Sequence, residues 1–272
     1  MRHLLAQRMK TGALRRLPDY LIIGAQRSGT SSLYNYLVQH PAVLPALKKE
    51  VHYFDDGFAS GQSWYRAHFP LTLHVRLVRQ RRGACRVGEA SPYYLLHPHT
   101  PRRVSQVLPD VRLIALLRNP VDRAESHYHH EVRRGRESLS FEEAIDREPQ
   151  RLAGEVDRML ADDTYVSFNH RRFSYLTRGR YVEQLPAWRA LFPDDRLLIL
   201  RSEDLFADPA SIVNRVFEWL GLPPRSTGSF KKFNQAQYSR MKPATRERLR
   251  AYFEPHNLRL AEYLGRDFQW NA

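Results

Sequence analysis

The sequence predicts an α/β fold of three layers, with a central, mostly parallel sheet flanked by helices. Three observations predict it. Short apolar runs with the length of buried strands recur at residues 20–23, 111–118 and 196–201, and residues 86–90 read as a further strand. A segment with helical spacing follows each run. Glycine, proline and capping residues mark the joints. Strands alternating with helices imply a parallel sheet covered on both faces. Ligands of such sheets sit beyond the carboxyl ends of the strands.

The first unit carries the most information. Tyr20 to Ile23 is the apolar run, and Gly24 and Gly29 punctuate the turn after it. Thr30 and Ser31 open a helix with Leu33 and Leu37 on one face, and His40-Pro41 ends it. Strand, glycine-containing loop and helix N-terminus together make a phosphate cradle, with backbone N–H groups and the positive end of the helix dipole aimed at an anion. The spacing Gly24-x4-Gly29 followed by Ser31 matches a P-loop in all but one place, so the fold is expected to be P-loop-like. Thr30 stands where a nucleotide triphosphatase needs its lysine, and the basic residue is Arg27, inside the loop.

Further along, residues 44–55 are expected as a short extended piece, 57–85 as short helices over the sheet edge, and 86–90 as a second strand ending at Ser91-Pro92. A helix is predicted over 98–108. The clearest buried strand is 111–118. Asn119-Pro120 follows as N-cap and N1, opening a helix to about Arg134. Ser140 with Glu143 forms a capping box. Residues 151–174 are polar and give no placement. A helix with a kink at Pro186 is predicted over 175–191, a strand over 196–201, and a helix over 209–220 capped by Asp208. From Pro243 the pattern is helical, broken at Pro255 and stopped at Gly265. The chain divides into a basic N-terminal leader that can fray, residues 1–18, and a single domain, 19–272.

Charge narrows the ligand. The chain has 272 residues and a formal net charge of +14. Residues 1–136 hold 22 basic and 9 acidic residues, whereas the second half holds 21 and 20. Positive potential is concentrated in the half with the phosphate loop, which suits a polyanionic ligand. Lys supplies only 6 of the 43 basic residues, so arginine-rich coding contributes to the excess. Cys85 is the single cysteine, so no intrachain disulfide forms and a reducing compartment is favoured. The N-terminus has no long apolar core and matches neither a secretory signal nor a membrane anchor. A cytoplasmic location with no integral membrane segment is the expectation.

Three strand ends bear polar residues: Gln26 to Ser31, Glu89 to Ser91, and Arg118 to Ser126. Arg118 and Ser126 can hold a phosphate by charge and hydroxyl. The simpler reading of Arg118 alone is a brace to Asp122. With the first loop, two separated anion sites suit a nucleotide phosphorylated at both ends. Glu50 follows Lys48-Lys49 and precedes Tyr53-Phe54; burial there would raise its pKa and make it a general base. Alone it reads as a surface charge balancing two lysines, and only the surrounding motifs favour the base. His52 shares a side with Glu50 in an extended chain, as a second polar contact or a packed histidine. Tyr53, Phe54, Tyr93 and Tyr94 either line an acceptor pocket or pack the core.

These pieces, in this order, resemble the sulfotransferases that use 3′-phosphoadenosine 5′-phosphosulfate (PAPS). The nearest resemblance is to the heparan-sulfate O-sulfotransferase branch and its bacterial relatives, over about residues 20–270. Residues 22–31 look like that family's 5′-phosphosulfate loop, 49–55 resemble the stretch holding its catalytic glutamate, and 117–128 its 3′-phosphate motif. Residues 253–270 resemble its C-terminal signature. The resemblance implies PAPS as sulfuryl donor and 3′,5′-diphosphate (PAP) as product, with no metal required. Gln26, Arg27, Ser28, Gly29, Thr30 and Ser31 would bind the 5′-phosphosulfate, and Arg118 and Ser126 the 3′-phosphate. Glu50 would be the base, with Arg27 stabilising the leaving group and His52 beside them. Arg27 stands where many members have lysine; arginine does the electrostatic work without giving up its proton.

There are departures. The heparan branch often has Glu-Lys-(Ser/Thr) where this chain has Glu89-Ala90-Ser91. The family's Lys-Gly-Arg phosphate loop has Lys231-Lys232 as its candidate substitute. The Golgi enzymes' disulfide loop and membrane anchor have no counterpart, which argues against a Golgi glycan acceptor. Arg178-Gly179-Arg180 would line the adenine or the acceptor side. The expected partner is a hydroxyl-bearing acceptor, a glycan, lipid or natural product, and not a nucleic acid. The alternatives are a P-loop kinase or NTPase, disfavoured by Thr30 at the lysine position, and a non-catalytic polyanion-binding protein.

Overall fold

The computed structural model describes residues 2–225, 230 and 241–270. Five strands form one sheet: β1 (Tyr20–Gly24), β2 (Val43–Pro45), β3 (Arg86–Ala90), β4 (Arg112–Leu117) and β5 (Leu197–Arg201). Their order is β2-β3-β1-β4-β5, and every pairing is parallel. β1, the strand before the glycine loop, lies at the centre, with β3 and β4 on either side. The α/β, P-loop-like architecture is therefore as the sequence predicts, with a wholly parallel sheet.

Alternation along β1 explains the two covered faces. Leu21 and Ile23 join one core with Leu113, Ala115, Tyr181 and Trp188. Tyr20 and Ile22 join the other with Ile114, Leu116, Leu33 and Phe217. Successive side chains of a strand point to opposite faces, so an all-apolar strand needs helices on both. Gly88 of β3 has a structural reason: a Cβ there would lie 2.2 Å from the Tyr20 ring.

Most joints follow the local chemistry. Helix Pro120–Arg133 starts with Asn119 accepting from the Val121 amide at 3.0 Å. Ser140 and Glu143 form their capping box, and Asp208 accepts from the Ser211 amide at 3.1 Å. Residues 151–174, which gave no sequence signal, hold helices Glu155–Ala161 and Phe168–Arg172.

Two expected helices differ. The helix predicted over 175–191 begins only at Tyr181, because residues 177–179 form a separate 3₁₀ turn that buries Arg178. The break predicted at Pro255 does not occur, and Pro243–Leu264 is one helix of 22 residues. A proline inside a helix costs about 3 kcal/mol. Burial of Leu249, Phe253 and Leu260 on the same helix offsets that cost.

The basic N-terminal stretch contains helix Arg2–Met9. Arg8 donates to the carbonyls of Ala67 (2.5 Å) and Phe69 (2.7 Å), and Arg15 donates to the latter at 2.9 Å. Among the described residues no helix is long and apolar enough to cross a membrane.

Candidate active site

At the carboxyl end of the sheet lies a cleft of about 890 Å³. Gln26, Arg27, Gly29, Thr30 and Ser31 line it from the loop after β1. Gly29 caps helix Thr30–Leu37 with φ 89°, and a Cβ there would lie 2.9 Å from the Phe206 ring, so glycine alone fits. The first amides of that helix have no intrahelical acceptor. Ser28 sits behind the loop. It is fully buried, and its carbonyl accepts from Ser202 Oγ at 2.7 Å.

The second motif closes on the first. Arg118 and Ser126 also line the cleft. Arg27 Nε donates to Ser126 Oγ at 3.1 Å, and Arg118 Nη1 donates to the Arg27 carbonyl at 3.1 Å. The brace from Arg118 to Asp122 does not form, because Asp122 pairs with Arg246 at 2.7 Å. Gln26 accepts from Arg178, which is 1 % exposed. Burial lowers the Arg178 pKa to about 9.

Arg178 has no carboxylate within ion-pair distance among the described residues. Arg123 is fully buried nearby, and two of its guanidinium nitrogens lack a hydrogen-bond partner. Buried cations without an ion-pair partner among the described residues, under a glycine loop, suit an anionic ligand. The donor set therefore fits a nucleotide phosphorylated at both ends. Lys231 and Lys232, the expected third phosphate contact, lie outside the described residues.

Glu50 lines the same cleft, from the stretch after β2. The stretch after β2 is not extended: Glu50 and His52 adopt left-handed backbone, with φ of 62° and 59°. This bend, rather than strand alternation, brings His52 Nε2 to 3.4 Å from Glu50 Oε2. His52 Nδ1 lies 2.6 Å from Asp55 Oδ2, and Lys49 Nζ donates to Glu50 Oε1 at 2.5 Å. The predicted rise in the Glu50 pKa does not occur. Burial pushes it up, but the His52 hydrogen bond and the Lys49 charge outweigh burial and hold it at about 2. Burial likewise disfavours the His52 imidazolium, yet the bonds to Asp55 and Glu50 outweigh it and raise its pKa.

The remaining wall was not legible as a site. Arg134 and Arg136 reach it from the end of helix Pro120–Arg133, and Arg171 and Arg172 from helix Phe168–Arg172. Arg171 pairs with Asp56, and Arg136 with Glu131 at 3.1 Å. Among the described residues, seven arginines line the cleft against one carboxylate, Glu50. Of the four aromatics, Tyr93 lines the cleft, whereas Tyr53, Phe54 and Tyr94 pack in the core. Asp55 was missed too, although His-x-x-Asp was a readable spacing.

A family model for the sulfotransferase domain matches residues 17–256. The chain belongs to the sulfotransferase family. Human heparan sulfate glucosamine 3-O-sulfotransferase 6 is 30% identical over 94% of this chain and 74% of its own length. The membrane-associated sulfotransferase kil1 of Dictyostelium discoideum is 28% identical over 95% of this chain and 68% of its own. The crystal structure of a sulfotransferase from Alicyclobacillus acidocaldarius superposes with a TM-score of 0.72 at 31% identity, covering 94% of this chain and all of that one. The chain is thus a transferase of sulfuryl groups, and the cleft is the place to assign that chemistry.

Proposed function

We propose that this sulfotransferase moves the sulfuryl group of PAPS to a hydroxyl of an acidic acceptor, with Glu50 as the general base. The observation that carries the reading is the convergence of Arg27, Arg118, Ser126 and Glu50 on one cleft. Gln26, Arg27 and the amides of Gly29 to Ser31 hold the 5′-phosphosulfate. Arg118 and Ser126 hold the 3′-phosphate and select PAPS over other adenylates. Glu50 takes the proton of the acceptor hydroxyl, whose oxygen forms the new bond to sulfur. The bond from sulfur to the bridging oxygen breaks, its electron pair stays on the 5′-phosphate, and PAP leaves. Arg27 stabilises the charge that develops there.

A carboxylate held at about 2 is a weak base. His52 provides the adjustment: once it is neutral, Glu50 loses the partner that lowers it most. The rate should therefore rise with pH through the elevated pKa of His52. The acceptor side is the wall of Arg134, Arg136, Arg171 and Arg172, whose charge suits carboxylate or sulfate groups flanking the hydroxyl. The buried single thiol, Cys85, favours a reducing compartment, and we place the enzyme in the cytoplasm.

The test is transfer from ³⁵S-labelled PAPS to N-sulfated heparosan, to its desulfated form and to p-nitrophenol. Label in the acidic polysaccharide, lost with Glu50→Gln, is expected. Transfer to the neutral phenol alone would overturn the acceptor class, and magnesium-dependent ATP hydrolysis would revive the NTPase reading.

A further inference from the structure

The loop that carries Glu50 is bent twice into left-handed backbone and has no strand to hold it. Its amides show what does. Glu50 N donates to the Ala90 carbonyl at 3.0 Å. His52 N donates to Ser91 Oγ at 3.2 Å, and Tyr53 N and Phe54 N donate to Tyr94 Oη at 2.9 and 3.4 Å. Ser91 and Tyr94 follow β3, so the loop is stitched to that strand's carboxyl end.

Both hydroxyls lead to one carboxylate. Tyr94 Oη donates to Glu89 Oε1 at 3.1 Å, and Ser91 Oγ donates to Glu89 Oε2 at 3.3 Å. Tyr65 Oη donates to Glu89 Oε1 at 2.9 Å. A hydroxyl has one proton to give and lone pairs to receive; an ionised carboxylate only accepts. With their protons committed to Glu89, Ser91 and Tyr94 can only accept from the loop. Glu89 thereby sets the polarity of every side-chain bond that holds the amides of His52 to Phe54.

We propose that Glu89 is a positioning residue: a buried carboxylate that acts through Ser91 and Tyr94 to lock the loop Glu50–Phe54 in the conformation presenting Glu50 and His52 to the cleft. Glu89 is 0 % exposed, with no basic side chain within ion-pair distance among the described residues. Burying a carboxylate without a cation is costly, and an apolar residue of similar volume is often neutral or stabilising at such a place. Burial raises its pKa to about 7, so the ionised, acceptor-only form that fixes this polarity is the one present above neutral pH. A costly acceptor-only group is explained by what it orients. The proposal rests on the sulfotransfer reading only in calling the loop catalytic.

The test uses the full chain with Glu89→Met, Glu89→Gln, Tyr94→Phe and Glu89→Met/Tyr94→Phe. Three readouts are taken: amide hydrogen exchange, PAP binding by calorimetry, and sulfate transfer per PAP-binding site. Glu89→Met and Tyr94→Phe should speed exchange at His52 and Tyr53 at least tenfold, leaving β1 and β4 amides unchanged. PAP affinity should stay within twofold while turnover falls at least tenfold. Glu89→Gln, which keeps one acceptor oxygen, should lie between. The double variant should be no worse than the poorer single one, since both break one chain of bonds; multiplied losses would overturn the proposal.

Wild-type exchange at His52 and Tyr53 in a folded Glu89→Met protein would also overturn it. So would a lower melting temperature with unchanged turnover per site. Should Glu89→Met not fold, Ser91→Ala and Tyr94→Phe carry the same comparison. If even the wild type transfers no sulfate, the exchange and PAP data still decide the role of Glu89, while the sulfotransfer reading fails on its own.

Discussion

The two walls of the cleft are built differently. The wall we propose for the donor comes from the ends of the central strands: β1 leads into residues 25–31, and β4 leads into Arg118 and the helix bearing Ser126. Each piece is a strand, a turn and a helix start, contiguous in sequence. The other wall comes from a bent loop around Glu50, the end of one helix at Arg134, and a five-residue helix bearing Arg171 and Arg172. Its residues meet only through long-range contacts, such as Arg171 with Asp56. The donor wall is therefore set by local chemistry that any ligand phosphorylated at both ends would need. The other wall can change its side chains without disturbing the sheet, which is where acceptor choice belongs.

Substitutions on either wall should separate the two. The largest effect is expected for Glu50→Gln, which should lower kcat by about 10²–10⁴-fold while PAP binding by calorimetry is retained; near-normal turnover would remove Glu50 as the base. Next is Arg118→Ala. A charge-assisted hydrogen bond contributes about 1.5–3 kcal/mol, so the donor KM should rise by about 10–100-fold with little change in the acceptor KM. Equal increases in both constants would dissolve the division between walls. Arg172→Ala and Arg134→Ala should do the reverse at smaller scale. Arg134 is exposed and Arg172 half-buried; a surface charge contributes about 0.2–1 kcal/mol, so the acceptor KM should rise up to about fivefold, less at high salt, with PAP affinity unchanged.

The smallest effect is on stability. The Glu50 pKa is depressed in the folded state, so its contribution is present above the unfolded carboxylate value of 4.5 and is lost as pH falls towards 2. Glu50→Gln should therefore lose less melting temperature than the wild type between pH 5 and pH 3. Its side chain is 42% exposed, so solvent screening keeps the difference small. His52 works in the other direction. Its raised pKa contributes stability that is complete below 6.5 and is lost as pH rises through the folded value.

Legibility follows the same division. The loop from Gln26 to Ser31, the Asn119 cap with Pro120, and the Ser140 capping box are short-range patterns, each fixed by hydrogen bonds a few residues apart. Glu50 was legible as a residue but not in its chemistry. Its pairing with a preceding lysine was readable, but the chain was expected to be extended beside aromatics, whereas the backbone turns left-handed twice and brings His52 to it. Pro255 misled in the opposite sense, because a local helix breaker was overruled by the packing of Leu249, Phe253 and Leu260. Residues 151–174 gave no signal, because their helices are short and owe their place to neighbours rather than to periodicity.

By itself, the sequence determined the alternation of strands and helices, the glycine loop and the cation inside it, because strand burial, turns and caps act over a few residues. Only the tertiary structure decided that Arg27 meets Ser126, that Arg178 donates to the side-chain oxygen of Gln26, and that a buried Glu89 stands behind the Glu50 loop. Those contacts join residues 99, 152 and, from Glu89 to Tyr94 and on to Tyr53, up to 41 positions apart. Their existence depends on a parallel sheet bringing separate strand ends to one edge, which no local pattern encodes.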